Sequence, residues 1–464
     1  MKRFTNYIWA ALVLAALCLP VASAQQQAPP PTTSPASGGG SQTAPAQQPA
    51  SPVMGMPPTV TGGLAPNVGD SGDVHSQITA GLQYSELFDS NFANANGGAG
   101  WDEVSTIGGN FSLRRAAGSS ALTLNYTGGG YIDPRNSAND STYHAFTVSE
   151  ALQFRRWSLA LVDSFSYLPE SSFGFGGTGG GGSAFLGITL LNPNVTPGQG
   201  IISPLAGRFS NTAFAEVSYA ASQRSAWTFS GSYGLLHFTS SGFLNSADYE
   251  GAVGYNYMIS TKDTIGFSYQ FDATRFSPAL ASINNHTIGI NYGHFISKQL
   301  SFQAGAGPQL NQFVPVIGPS LGLHLQWSAN AGLSYLRGRT TMNASYAHGV
   351  TGGAGILIGA NTDAVSAGVS HPLGRYSAIS GSFGFSRNTS LTQFGQAGSS
   401  YDSEYASVGF SKGLGPQASL IANYSLIHQT TNSGPCAAAV CGPQLTRNQI
   451  FVGFSWNMRP IPLR

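Results

Sequence analysis

Long segments in which apolar and polar side chains alternate run through this 464-residue chain from about Val74 to its last residues. In the segment 264–276, TIGFSYQFDATRF, one face carries aliphatic and aromatic residues, and the other carries Thr, Gly, Ser, Gln and Asp. A period of two predicts a β-strand, and strands of soluble proteins average only about 5–6 residues. Alternating strands about twice that long are typical of a transmembrane β-barrel, with the apolar face in lipid and the polar face in the lumen.

Eighteen such segments can be counted, and the connections between them alternate between short turns and longer loops. Basic residues gather beside the short turns, and carboxylates gather near the long loops. Bacterial barrels have an even number of strands, short periplasmic turns and long extracellular loops. We therefore predict an all-β fold, a transmembrane antiparallel up-and-down β-barrel of about 18 strands, over residues 73–464, with both chain termini in the periplasm.

The composition agrees with a surface that faces lipid. Charged residues make up 8% of the chain, compared with roughly 25% in a typical soluble domain. Residues 1–24 have a basic start, an apolar stretch and the small residues Ala22-Ser23-Ala24, which predict a cleaved signal peptide. Residues 25–72 are rich in Pro, Ser, Gln and Gly and predict a disordered periplasmic tail. The expected location is the cell outer membrane.

Charged residues inside predicted strands are candidates for the lumen wall, because a charge that faces lipid near the membrane midplane is unfavourable. They could pack in a polar network, or they could form a wall that favours cations. Two arginines could instead make the lumen favour anions. The lumen candidates are Glu150, Asp163, Glu216, Asp272, Arg275 and Arg387.

The connection Pro169–Arg208 is the longest in the predicted barrel, and long loops are usually functional or disordered. Its second half contains apolar residues that should not stay exposed to water. We expect it either to fold into the lumen and constrict it, or to pack as an outer flap on neighbouring loops or a second protomer. The constriction candidates are Glu170, Phe185, Leu186, Ile188, Leu190, Leu191 and Arg208.

Other chemistry finds little support in the sequence. Cys436 and Cys441 lie close together in a Gly- and Pro-containing loop, where export would permit a disulfide. His144, His237, His348 and His428 fall near the long-loop rim without a nucleophile motif or a metal-ligand spacing, so we predict no catalytic residues, no metal, no cofactor and no nucleic-acid binding.

The stretch 327–363, WSANAGLSYLRGRTTMNASYAHGVTGGAGILIGANTD, and its continuation to Asn388 resemble the uncharacterised outer-membrane β-barrel proteins of environmental Gram-negative bacteria, some of which are described as porins. The resemblance consists mostly of strand texture and implies a barrel. Many such proteins end on an aromatic residue that the assembly machinery recognises. Here Trp456 is followed by NMRPIPLR, so the recognition element is internal or altered.

Barrels of 16–18 strands enclose an aqueous lumen unless something plugs it. The sequence therefore favours a porin-like channel for passive diffusion of small polar solutes or ions, which would prefer cations weakly. The alternatives are an export conduit for a polysaccharide or other polymer, and a structural or adhesive surface barrel. Expected partners are outer-membrane lipid, the barrel-assembly machinery and small polar solutes, and an oligomer is compatible with the sequence.

Overall fold

The computed structural model describes residues 60, 76–92, 100–169, 200–203, 205–277, 281–315, 322–391, 399–432 and 444–463. These residues belong to one compact unit, residues 53–464. The predicted signal peptide and all of the predicted tail except Val60 lie outside the described residues. Within the described ranges, no helix is both long and apolar enough to cross a bilayer.

Eighteen long antiparallel strands form a closed barrel, which confirms the predicted fold class and strand number. The first nine strands are β1 (Gln77–Asp89), β2 (Asp102–Ala117), β3 (Ser120–Ile132), β4 (Ser141–Gln153), β5 (Trp157–Leu168), β6 (Arg208–Ala220), β7 (Ser225–Phe238), β8 (Asn245–Met258) and β9 (Asp263–Ser277). The second nine are β10 (Ser282–Phe295), β11 (Leu300–Val314), β12 (His324–Arg337), β13 (Thr340–Thr351), β14 (Ala360–Pro372), β15 (Ser377–Ser390), β16 (Ser400–Gly413), β17 (Ala418–Asn432) and β18 (Leu445–Asn457).

Each strand pairs with its neighbours in sequence, and the barrel closes where β1 pairs with β18. After β18, a short strand β19 (Ile461–Pro462) pairs with the beginning of β1, so the residues that follow Trp456 extend the sheet. Longer and shorter connections mostly alternate, as the sequence predicted, but the connection 278–281 between β9 and β10 has the same length as the turns 259–262 and 296–299 on either side of it. We call the two rims the short-turn end and the long-loop end.

The barrel wall is apolar on its outer face and polar on its inner face, which is the reverse of a β-barrel in a soluble protein. Large apolar side chains are exposed on the outside, as with Leu82 at 66% and Ile290 at 56% exposure. Small polar side chains such as Ser85, at 1%, are buried on the inside. Alternation in each strand therefore places an apolar surface toward lipid and a polar surface toward the lumen.

Candidate functional site: the barrel lumen

The end of the longest connection crosses the lumen. Gly200–Ser203 belongs to the connection between β5 and β6, yet its residues bind the far wall. The side chain of Asn388 on β15 donates a hydrogen bond from Nδ2 to the Gly200 carbonyl oxygen at 3.0 Å. The backbone N–H of Ile202 donates to Gln429 Oε1 on β17 at 2.7 Å, and Gln429 Nε2 donates to the Ile202 carbonyl oxygen at 3.0 Å. Since β15 lies halfway around the ring of strands from β6, the segment spans the barrel interior.

This segment is buried where it meets the far wall. Ile201 and Ile202 are both 0% exposed. Ile201 packs in an apolar cluster with Tyr401 of β16, and Ile202 packs with Ile427 of β17 and with Leu445. The apolar residues at this end of the connection are therefore removed from water inside the lumen, where they pack against the far wall.

The other constriction candidates divide between described and undescribed residues. Arg208 begins β6 on the inner face, where it is buried and its guanidinium carbon lies 5.7 Å from the centre of the Phe238 ring. Outside the described residues lie Glu170, Phe185, Leu186, Ile188, Leu190 and Leu191. Their role in a constriction stays a prediction.

A second inward segment, residues 352–359 between β13 and β14, was not singled out from the sequence. It contains a 3-10 turn at Gly353–Gly355, and Ile356 and Leu357 are buried in the interior. The backbone N–H of Leu244, next to β8, donates to the Gly355 carbonyl oxygen at 2.9 Å, so the segment reaches the β7–β8 side of the barrel. The same apolar cluster joins Ile356 and Leu357 to Ile201, so the two inward segments meet.

Carboxylates line the inner wall beneath these segments. Glu250 on β8 and Asp272 on β9 are directly paired in register and share the inner face. Glu250 accepts a hydrogen bond from Ser232 Oγ at 3.3 Å, and Asp272 accepts one from Asn285 Nδ2 at 2.8 Å. Asp248 lies two residues before Glu250 on the same face, and all three carboxylates are half-buried.

The acidic group continues toward β6 and lies close to the second inward segment. Glu216 on β6 faces inward with 9% exposure and accepts a long hydrogen bond from Ser218 Oγ at 3.4 Å. A Cβ added at Gly352 would lie 3.6 Å from Asp248 Oδ1, which places the second inward segment beside the acidic group. We call Glu216, Asp248, Glu250 and Asp272 the lumen carboxylates.

A buried ion pair joins the two strands that close the barrel. Asp89 at the end of β1 and Arg447 near the start of β18 are both 0% exposed. Arg447 Nε donates to Asp89 Oδ1 at 3.0 Å and to Oδ2 at 2.8 Å. Gln449 Nε2 and the backbone N–H of Asn91 complete the hydrogen bonding of this carboxylate, both at 2.9 Å. Arg447 is therefore held at the seam of the barrel.

Four of the six charges predicted for the lumen lie on the outer face instead, because strand alternation fixes their side. Glu150 is in phase with the outward-facing Phe146, and its register partner on β5 is the exposed Leu161. Asp163 is in phase with Leu161 and with the exposed Phe165. The prediction for Glu150 and Asp163 rested on the cost of a charge in lipid, whereas the phase of β4 and β5 places both carboxylates outside.

The two arginines are also on the outer face, each with a local partner near the long-loop end. Arg275 places its guanidinium carbon 5.5 Å from the ring centre of the outward-facing Tyr249. Arg387 binds Asp402 through two hydrogen bonds, from Nε at 2.8 Å and from Nη2 at 2.7 Å. The cost of an outward charge falls near the membrane interface, which accounts for arginines in these positions.

The chain carries several inward charges that the sequence argument missed or placed at the rim. Asp248 and Glu250 are among the carboxylates that gather near the long loops in the sequence, and they share the phase of the inward-facing Asn256 on the same strand. Phase counting alone would have found them. Asp89 and Arg447 carry no local signal, since their partnership depends on closure between residues that are 358 positions apart.

The outward side holds the four rim histidines: His144 lies by Tyr126, His237 by Phe209, His348 by Asp363, and His428 by Thr446. Across the described ranges, no group of three or more His, Cys, Asp or Glu side chains could hold a metal ion. Cys436 and Cys441 lie outside those ranges, and their disulfide stays a prediction.

No family model matches the chain, and a search of curated proteins finds no match. The solved structures to which it is similar include three outer-membrane channels. Pseudomonas aeruginosa OccK2 (OpdF) in complex with glucuronate has a TM-score of 0.43, 9% identity, and coverage of 83% of this chain and 98% of that chain. Pseudomonas aeruginosa OpdK with vanillate has a TM-score of 0.39, 9% identity, and coverage of 82% and 98%. Acinetobacter baumannii OccAB2 has a TM-score of 0.40, 8% identity, and coverage of 83% and 98%.

Proposed function

We propose that this protein is an outer-membrane channel for passive diffusion of small polar solutes, that it prefers cations, and that its pore is narrowed at the long-loop end. The observation that carries the proposal is the passage of Gly200–Ser203 across the interior, bound to Asn388 and Gln429 on the far wall. A segment bound across a barrel obstructs the passage of a wide polymer. This supports diffusion over polymer export.

The lumen carboxylates support the preference for cations. Glu250 and Asp272 are cross-strand neighbours on β8 and β9, and both point into the lumen. Asp248 and Glu216 lie on the same inner wall. Like charges that line a confined path attract counter-ions and raise their local concentration. Among the inward arginines, Arg447 is neutralised by its contact with Asp89, and Arg208 lies buried against the Phe238 ring at the long-loop end.

Conductance measurements test both parts of the proposal. The purified, heat-modifiable barrel should form channels in planar bilayers, and its reversal potential under a KCl gradient should show cation preference. Replacing Asp248→Asn, Glu250→Gln and Asp272→Asn together should move that potential toward zero. The matched control is Asp163→Asn, because it removes a carboxylate from the outer face and should leave selectivity unchanged.

The two parts can fail separately. A folded barrel that conducts no ions would contradict the channel proposal and favour a structural or adhesive role. If the barrel conducts but its ion selectivity is the same with and without the three inner carboxylates, the channel proposal stands. The proposal that these carboxylates set the cation preference would then be wrong. Anion selectivity of the unaltered protein would have the same meaning.

A further inference from the structure

The short-turn end of the barrel carries charge of one sign around its ring. Eight turns of the described wall lie there, and none of them contains Asp or Glu. Six of the turns contain at least one exposed arginine or lysine: Arg155, Arg224, Lys262, Lys298, Arg339 and Arg375. The other two turns come two or three residues after an exposed basic residue on the outer face, Lys412 or Arg115. Each turn therefore presents a positive charge at this rim.

No carboxylate among the described residues neutralises these charges. The ion pairs in that part of the chain involve other basic residues, namely Arg135, His294, His348, Arg387 and Arg447. Asp263 directly follows the β8–β9 turn, but its carboxylate accepts a hydrogen bond from Tyr292 Oη at 2.7 Å and lies 2.7 Å from His294 Nδ1. Adjacent turns are two strands apart, roughly 10 Å, which is close to the screening length of about 8 Å at physiological salt. The unpaired charges therefore act together on an anion that approaches the rim.

Large apolar side chains stand beside these basic residues on the outer face. In five of the turns the residue that directly follows the strand is apolar and 50–58% exposed: Phe154, Ile259, Ile296, Leu373 and Leu414. The backbone N–H groups of Ile259, Leu373 and Leu414 each donate at 2.9 Å to the carbonyl oxygen of the first residue of the next strand. Sheet pairing therefore continues through these positions and keeps their side chains on the outer face. Because apolar side chains this exposed are unfavourable in water, the turns lie at the edge of the hydrocarbon.

Three of the turns are built alike, which decides how they can hold an anion. Ser222, Ser260 and Ser297 each accept hydrogen bonds through Oγ from the backbone N–H groups two and three residues later, at 3.0–3.2 Å. A serine that closes a turn in this way satisfies the turn's own amides. An anion at these turns must therefore be bound by the basic side chains, not by the backbone.

We propose that the ring of short turns binds anionic phospholipid, with its apolar residues in the edge of the hydrocarbon and its basic residues on the headgroup phosphates. The phosphate of a zwitterionic lipid is balanced by that lipid's own ammonium group, so the unpaired charges of the ring favour a headgroup with a net negative charge. A polymer such as peptidoglycan would meet the basic residues but would leave Ile259 and Leu414 in water. The proposal requires a membrane-spanning barrel and does not depend on the channel function.

Competition between two lipids tests the proposal on the full-length exported protein. The folded barrel is incubated in detergent with equal amounts of phosphatidylglycerol and phosphatidylcholine that have the same acyl chains, and the lipid that it retains is quantified by mass spectrometry. Phosphatidylglycerol should exceed phosphatidylcholine by about fivefold or more, the factor that one basic residue contributes near an anionic surface. The excess should fall in about 1 M KCl, where the screening length is only about 3 Å.

Removing charge from the turns should reduce the preference. The triple variant Lys262→Gln, Lys298→Gln and Arg375→Gln should bring the ratio of the two retained lipids toward one. The matched control, Arg135→Gln with Arg275→Gln and Arg387→Gln, removes three charges from the long-loop end and should keep the ratio of the unaltered protein. The heat-dependent shift in gel mobility shows that each variant is folded.

Equal retention of the two lipids by the unaltered protein would overturn the proposal, as would a ratio that the turn variant leaves unchanged. Sedimentation with purified peptidoglycan that depends on the same three residues, without a phospholipid preference, would assign the ring to a polymer instead. None of these measurements uses conductance. A barrel that prefers phosphatidylglycerol but conducts no ions would therefore retain this proposal and lose the channel function.

Discussion

The carboxylate of Asp89 and the guanidinium of Arg447 meet inside the barrel at the seam where β1 pairs with β18, with neither side chain exposed to solvent. Two further donors, Gln449 Nε2 and the backbone N–H of Asn91, bind the same carboxylate. The register pairs Asp89 with Gln449, two positions from Arg447 on the same face of β18. The contact therefore ties together two neighbouring strands, β1 and β18, that lie at opposite ends of the barrel sequence.

Removing one member of this pair should destabilise the barrel strongly. Arg447→Met leaves a buried carboxylate without its counter-charge, and breaking a buried pair in this way costs about 3–5 kcal/mol. The measurement is urea unfolding of the refolded barrel in detergent, with the heat-dependent shift in gel mobility as the criterion for folding. Replacing both residues, Asp89→Leu with Arg447→Met, should recover much of the loss.

The matched control for the seam is the pair Arg387–Asp402 on the outer face, which has similar hydrogen-bond distances but more exposed side chains. Arg387→Gln should cost only about 0–1 kcal/mol, as exposed ion pairs do. Equal losses in the free energy of unfolding for the Arg447 and Arg387 variants would contradict the burial of Arg447 away from water.

Releasing the crossing segment should widen the pore. Gln429→Leu removes both hydrogen bonds to Ile202, and Asn388→Ala removes the one to Gly200, so the double variant should raise the single-channel conductance. Deletion of residues 174–197 should act in the same direction. Gln303→Ala is the control, because this glutamine faces inward on the exposed part of β11 and its loss should leave the conductance nearly unaltered. A deletion variant that folds and conducts like the parent would exclude this connection as the constriction.

The second inward segment offers an independent steric test. Gly355 has a φ of +78°, and a Cβ there would lie 2.3 Å from Phe238 Cε2, so Gly355→Ala should dislodge residues 352–359 from the β7 wall. We expect higher conductance and a less stable barrel. Gly338→Ala provides the control, because that glycine also has a positive φ, +59°, but has open space around it. The Gly338→Ala variant has the same kind of backbone strain as Gly355→Ala but no steric collision. Its single-channel conductance should therefore match that of the unaltered protein.

The barrel could be predicted from sequence because its strands carry a signal that repeats every two residues over the full membrane thickness. That signal also fixes the side of each residue: the phase of β9 places Asp272 inside and Arg275 outside. The error at Glu150 and Asp163 came from letting the cost of an outward charge override the phase. Asp163 is accommodated on the outer face by a hydrogen bond from Asn211 at 2.6 Å.

Contacts that cross the lumen could not be predicted in this way. The partnership of Ile202 with Gln429 spans 227 residues, and that of Val60 with Asn256 spans 196. Neither segment has a periodic pattern, and an inward fold depends on the shape of a space that exists only after closure. The apolar composition of the long connection indicated that it needed a dry environment, but it did not indicate which wall would provide one.

The pairing of β1 with β18 also sets an order of events for the barrel's assembly. Apart from the short pairing of β19 with β1 at the same seam, every other pairing joins strands that are adjacent in sequence, so these hairpins can form with little loss of loop entropy. The seam requires the first and last strands to find each other, which makes it the contact of greatest sequence separation and hence of slowest formation. Until that step, both edge strands present unpaired backbone N–H and C=O groups, which hydrocarbon does not tolerate. We therefore expect the open sheet to complete its seam before, or while, it enters the lipid, and the first and last strands to be the ones that assembly factors must shield.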